Sequence, residues 1–176
     1  MIITLIGMPG AGKTCMGKGL AKKFDMKFLD GDKLIEQIKG KKLHEIITEF
    51  GLDGFKKIEE EVLLSVDEDN LVLAPGGSAI YYDSVMSKLS EKGIIVYLYV
   101  SPKTIIERLG DFSKRGVVLE DGKTIYDLYK ERRPYFEKYA DLTINCDGDQ
   151  FAKYRAILCH EVKKMLRQRL HNEKAE

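Results

Sequence analysis

The 176-residue chain has 29 basic against 28 acidic residues, a formal charge of +1, with 44% hydrophobic and 32% charged residues. That length suits one domain whose core buries roughly 70% of the unfolded chain's surface, and the composition excludes a largely disordered chain. The charge balance offers no polybasic field, so neither nucleic acid nor an acidic membrane is an expected partner. The apolar run 94–100 is far too short to span a bilayer.

In chain order, the continuous apolar run 2–6 predicts a strand buried on both faces. It lacks the basic flank and cleavage site of a signal peptide. A helix over 13–24, a short strand over 27–30 and a helix over 32–38 follow, then two helical stretches near 43–50 and 53–66. The third strand, 71–74, ends at Pro75-Gly76-Gly77. A helix over 82–92 leads to a strand over 94–100, and Ser101-Pro102 is a start signal for a helix to residue 109. Residues 110–122 read as a mobile loop, 124–139 as a helix broken or kinked at Pro134, 142–146 as a fifth strand and 150–170 as a closing helix. Strands alternating with helices imply right-handed βαβ units and a single α/β domain.

Cys15, Cys146 and Cys159 are odd in number and form no CxxC pair, so neither a disulfide framework nor a structural zinc site is expected, and a reducing cytoplasm fits best. His44, His160 and His171 lack ligand spacing and read as surface or packing residues. With no surplus apolar stripe, a monomer is expected. Cys15, directly after the phosphate loop, is expected to be buried.

Gly7-Met8-Pro9-Gly10-Ala11-Gly12-Lys13-Thr14 matches G-x-x-x-x-G-K-[ST] between a predicted strand and a predicted helix. Gly10 and Gly12 allow the positive φ and close backbone approach with which successive N–H groups wrap a phosphate. The helix start turns its dipole toward the same anion. Lys13 can reach the β and γ oxygens, and the Thr14 hydroxyl can ligate Mg²⁺. The loop implies triphosphate binding and leaves the acceptor open.

Asp30-Gly31-Asp32 leaves the second strand at the carboxyl edge of the sheet, where the ligand crevice of such folds lies. One carboxylate there can organise magnesium-bound water while the other accepts a hydrogen bond from a substrate hydroxyl; capping of the next helix is the alternative reading of Asp32. Pro75-Gly76-Gly77-Ser78 ends a buried strand, as a backbone ligand contact or as a simple turn. Arg108, Lys114, Arg115, Arg132 and Arg133 surround the loop 110–122 and suit a lid that neutralises phosphate charge, or are solvated surface residues.

Together these segments resemble shikimate kinase, over residues 1 to about 158. The resemblance is carried by residues 28–32 with Ile35-Glu36; by Gly40, Glu45-Ile46, Gly51, Phe55-Lys56 and Glu59; by Ala74-Pro75-Gly76-Gly77-Ser78-Ala79; and by Arg132, Pro134, Phe136, Ala140 and Asp141. It implies a three-layer α/β/α P-loop domain with a five-stranded parallel sheet, a substrate-binding helical segment near 32–60 and a mobile lid near 110–122. It implies transfer of the ATP γ-phosphoryl group to the 3-hydroxyl of shikimate, in aromatic amino-acid biosynthesis, with Mg²⁺. By the resemblance, Gly10, Ala11, Gly12, Lys13, Thr14, Arg108 and Arg115 bind nucleotide, with Arg108 against adenine. Asp30 and Thr14 serve the metal. Asp32, Lys56, Gly76, Gly77 and Arg132 bind the acceptor, and Lys13, Asp32 and Arg115 act in catalysis.

The departures lie on the acceptor side. Lys56 stands where the family has Arg, losing the planar two-pronged donor. The glycine segment ends in Ser78, the lid reads Lys114-Arg115-Gly116-Val117-Val118 instead of Arg-Pro-Leu-Leu, and Leu52 replaces an acidic residue. Alternatives from the same residues are a same-fold kinase for another hydroxylated metabolite such as gluconate, or a nucleotide-binding protein without kinase activity.

Overall fold

The computed structural model describes residues 1–110 and 123–172. Five strands form one parallel sheet in the order β2-β3-β1-β4-β5. They are β1 (Ile2–Ile6), β2 (Lys27–Asp30), β3 (Leu71–Ala74), β4 (Gly93–Tyr99) and β5 (Leu142–Asn145). Every residue of β1 and β3 is buried, which is why these runs are continuously apolar instead of alternating. Edge strands β2 and β5 are only partly covered. β5 is held on β4 through Asp141, whose carboxylate accepts from the Ile95 amide at 2.8 Å while its own N–H donates to the Ile95 carbonyl at 2.9 Å.

The helices are α1 (Lys13–Phe24), α2 (Gly31–Lys39), α3 (Leu43–Ser65), α4 (Asp83–Lys92), α5 (Pro102–Leu109), α6 (Ile125–Tyr139) and α7 (Phe151–Asn172), with a 3₁₀ turn at Ala79–Tyr81. α3 is the two predicted stretches joined across Gly51, whose φ of 70° and ψ of 177° are not helical. α5 starts as its sequence requires: the Ser101 hydroxyl accepts from the Thr104 amide, with Pro102 at N1. α6 opens on a capping box between Thr124 and Asp127.

α6 runs through Pro134 without interruption, so of the expected break or kink the break does not occur. Pro134 is exposed, so the carbonyl it leaves unpaired lies on the solvent side, while Ile125, Leu128, Tyr129 and Phe136 anchor the opposite face. Phe136 stacks on Tyr97 with ring centroids 5.0 Å apart. Of the motif residues after the expected lid, Phe136 and Asp141 thus hold the fold together. Cys15 is exposed, not buried. α1 turns Met16, Gly17, Leu20 and Ala21 to the core, and Cys15 falls just off that stripe, onto the wall of the main cleft.

The main core surrounds β1, β3 and β4. A separate small core of Ile35, Ile46, Ile58 and Val62, with Leu34, Leu43 and Phe55 against it, binds α2 to α3. No helix among the described residues is long and apolar enough to cross a membrane. The expected lid, 110–122, lies outside the described residues apart from Gly110.

Candidate active site

A cleft of about 1200 Å³ opens at the carboxyl ends of β1, β2 and β3. It lies where the chain's connections diverge to opposite sides of β1, the point at which open α/β sheets bind ligands. Its floor is the loop between β1 and α1. Gly12, with φ of 91°, is the left-handed residue immediately before α1, and Ala11 donates its amide to the Met8 carbonyl at 3.1 Å. Lys13 folds back over the loop, its Nζ donating to the carbonyls of Gly7 at 2.8 Å and Met8 at 3.0 Å. Burial pushes the Lys13 ammonium down to about 8, with Asp32 and Asp30 opposing and Arg132 adding to the fall.

The two carboxylates at the end of β2 are separated by Gly31, and the reason is steric. A Cβ on Gly31 would lie 2.6 Å from the Pro75 carbonyl oxygen, so only glycine lets the β2 and β3 ends close side by side. Asp30 Oδ2 accepts from the Thr14 hydroxyl at 2.9 Å. Asp30 occupies the N-cap position of α2 without a side-chain cap bond. Asp32 lies inside the first turn and opens onto the cleft. The capping reading of Asp32 therefore falls away. Lost hydration, then the neighbouring Asp30 charge, raises the Asp32 carboxyl above its usual range, with Lys13 opposing.

Thr14 and Asp30 are hard oxygen donors at the mouth of the phosphate loop, and among the described residues no group of three His, Cys, Asp or Glu side chains gathers to cage a metal ion. This donor set fits Mg²⁺, which takes one or two protein oxygens and completes its octahedron with water and phosphate.

Gly76 and Gly77 form the wall opposite. A Cβ on Gly76 would stand 3.2 Å from Asp32 Oδ1 and 3.3 Å from Glu59 Oε1, and one on Gly77 would stand 2.7 Å from Arg132 Nη1. These distances bring Asp32, Glu59 and Arg132 around one backbone segment. Lys56 is on the cleft's rim, exposed, and pairs with Asp53 at 3.4 Å, a contact worth little in solvent. Arg108 donates to the carbonyls of Gly10 (3.2 Å), Cys146 (2.6 Å) and Gly148, with its guanidinium 4.5 Å over the Phe151 ring. It ties the phosphate loop to the start of α7. Arg115 and Lys114 lie outside the described residues.

Sequence reading did not assign roles to Tyr81, Tyr82, Glu131 or Phe151, all of which line the cleft. Nor did it foresee the environment of Glu59, which is 1% exposed. Both Glu59 oxygens accept from Ser78 Oγ at 2.7 Å, and Oε2 accepts from the Tyr82 hydroxyl at 2.7 Å. Ser78 thus turns its hydroxyl to Glu59. Burial raises the Glu59 carboxyl above its ordinary 4.5, with the two hydroxyl bonds opposing.

The folded protein binds the Glu59 proton more tightly than the unfolded chain, so this group's contribution to stability is complete below pH 4.5 and is lost as pH rises through the folded value. Glu59→Gln carries no such loss. The stability of this variant relative to wild type is expected to rise with pH from 4.5 upward, measured by urea unfolding at several pH values; a pH-independent difference would contradict it.

The parallel sheet, the glycine loop running into α1 and the cleft at the strand ends define a P-loop nucleotide-binding protein with room for an acceptor beside the phosphates. The family model for shikimate kinase matches residues 9–165. The chain belongs to the shikimate kinase family. It is 34% identical over 170 residues to the shikimate kinase of Vibrio parahaemolyticus, covering 95% of this chain and 96% of that one. It is 37% identical over 150 residues to that of Francisella tularensis subsp. novicida, covering 83% and 85%. Among solved structures, shikimate kinase from Acinetobacter baumannii in complex with shikimate superposes with a TM-score of 0.81 at 31% identity, covering 97% of this chain and 93% of that one.

Proposed function

We propose that this protein transfers the γ-phosphoryl group of ATP to the 3-hydroxyl of shikimate, with Mg²⁺. The observation that carries this reading is the meeting of two kinds of group in one cleft: a phosphate loop with Lys13 at one end, and Asp32, Gly76, Gly77 and Arg132 at the other. An acceptor bearing both hydroxyls and a carboxylate uses all of them. A gluconokinase from Sinorhizobium meliloti shares the fold alone, at 17% identity and a TM-score of 0.55.

In this reading Gly10, Gly12 and Thr14 present backbone N–H groups to the phosphates, Ala11 shapes the loop through its amide bond to the Met8 carbonyl, and Lys13 neutralises charge on the transferring group. Arg132 holds the acceptor carboxylate, while Gly76 and Gly77 touch the acceptor through their backbone. Asp32 aligns the attacking hydroxyl and takes its proton. Thr14 and Asp30 would hold Mg²⁺, Asp30 through water; the ion supplies positive charge that screens the phosphates. Lys56 is a second cation for the acceptor carboxylate once it leaves Asp53. Arg108 borders the adenine side, and Arg115, by family likeness, reaches over the transferring phosphate. A monomer acting in the cytoplasm completes this reading.

The test is ADP release with shikimate, with gluconate and with no acceptor, each with and without excess chelator. Turnover stimulated by shikimate and abolished by chelator is expected. Stimulation by gluconate alone, or ATP binding with no acceptor-stimulated turnover, would overturn the reading.

A further inference from the structure

We propose that Tyr81 is a positioning residue for the acceptor: it holds Arg132 by Nε so that both terminal guanidinium nitrogens face the cleft together. The inference rests on the carboxylate-bearing acceptor proposed above. Tyr81 closes the 3₁₀ turn that follows Gly76-Gly77-Ser78, its amide donating to the Ser78 carbonyl at 2.9 Å. Its ring therefore projects from the same short segment whose backbone lines the acceptor wall.

Four contacts fix that ring and aim it. Its edge meets Tyr135 with centroids 5.5 Å apart at 71°. Its face lies 5.4 Å beneath the Arg132 guanidinium carbon. The hydroxyl donates to Glu131 Oε1 at 2.5 Å and accepts from Arg132 Nε at 3.2 Å. The order of these last two bonds matters. Glu131, an acceptor only, draws the phenolic proton, which leaves an oxygen lone pair for Nε. Burial, then the bond to Glu131, raises the Tyr81 phenol, so it remains protonated and keeps this polarity at neutral pH.

With Nε occupied, no hydrogen bond to a described residue engages Nη1 or Nη2. Nη1 lies over Gly77, where any side chain would collide with it. The fork thus remains available for the paired, planar contact that a carboxylate makes best. This alignment matters more here than in a site with two guanidinium groups, because the other candidate cation, Lys56, is a point charge on the rim and is paired with Asp53. Tyr81 acts through Arg132 and does not touch the reacting atoms.

The experiment is a double-mutant cycle on acceptor kinetics. Tyr81→Phe retains the ring contacts and removes only the hydroxyl. It is expected to raise KM for shikimate roughly threefold to tenfold, the loss of one net hydrogen bond, with the effect falling on KM and not on kcat. In an Arg132→Lys background, which has no Nε, the same substitution is expected to add nothing. An unchanged KM, an equal rise in both backgrounds, or a loss confined to kcat would overturn the role of Tyr81 while leaving the acceptor assignment intact. Absence of shikimate turnover in the wild-type protein would overturn the acceptor assignment and this inference with it.

Discussion

Lys13→Ala is expected to lower kcat/KM for ATP by roughly 10²- to 10³-fold, the scale seen when one charge-stabilising donor is removed from a preorganised site. The geometry says why the other described cations cannot substitute. The Lys13 ammonium is already tethered to the Gly7 and Met8 carbonyls, so the phosphate loop itself sets its position before any nucleotide arrives. Among the described residues, the other cations near the phosphate end are placed for other work: Arg108 is bonded to Gly10, Cys146 and Gly148, and Arg132 is held by Tyr81 at Nε beside Gly77, on the acceptor side. Stability should not fall with activity. Burial disfavours the charged form of Lys13, so removing it takes away a desolvated charge along with two hydrogen bonds. Steady-state kinetics together with urea unfolding check both halves. Activity within tenfold of wild type would refute the role, and a collapsed unfolding midpoint would make the loss one of folding.

How much of this was legible in the sequence divides along contact range. The β1 strand, the phosphate loop and α1 were readable because their signals are local: a continuous apolar run, fixed glycines, and an apolar stripe beginning at Met16. The same local reading misplaced Cys15, since one residue of rotation on a helix separates core from cleft wall. Pro134 misled for a related reason, because propensity does not know which face of α6 meets solvent. Glu59 was legible as a family landmark, but its burial among Ser78 and Tyr82 depends on α3 packing near the end of β3, 19 and 23 residues away. Tyr81 meets Glu131 and Arg132 across 50 and 51 residues of chain, a pairing no periodicity encodes. The phosphate end is thus local in sequence, whereas the acceptor end is assembled from β2, α3, the turn after β3 and α6.

Asp32→Asn is expected to lower kcat by roughly 10²- to 10⁴-fold, the range for removing a positioned general base. The substitution keeps the shape and one acceptor oxygen, so shikimate can still be recognised, but it removes the group proposed to take the hydroxyl proton. Asp32 suits that work because lost hydration and the charge of Asp30 raise its proton affinity above that of an ordinary carboxylate, while Gly31 lets the end of β2 close against Pro75. Asp30 differs in its partner: it takes the Thr14 hydroxyl, which is why we propose it for the metal side. The two variants should separate accordingly. Asp30→Asn is expected to raise the magnesium concentration needed for half-maximal rate, whereas Asp32→Asn lowers kcat at saturating magnesium without shifting that requirement. Equal magnesium dependence in both variants, or near wild-type kcat in Asp32→Asn, would mean that the carboxylates do not divide the work in this way.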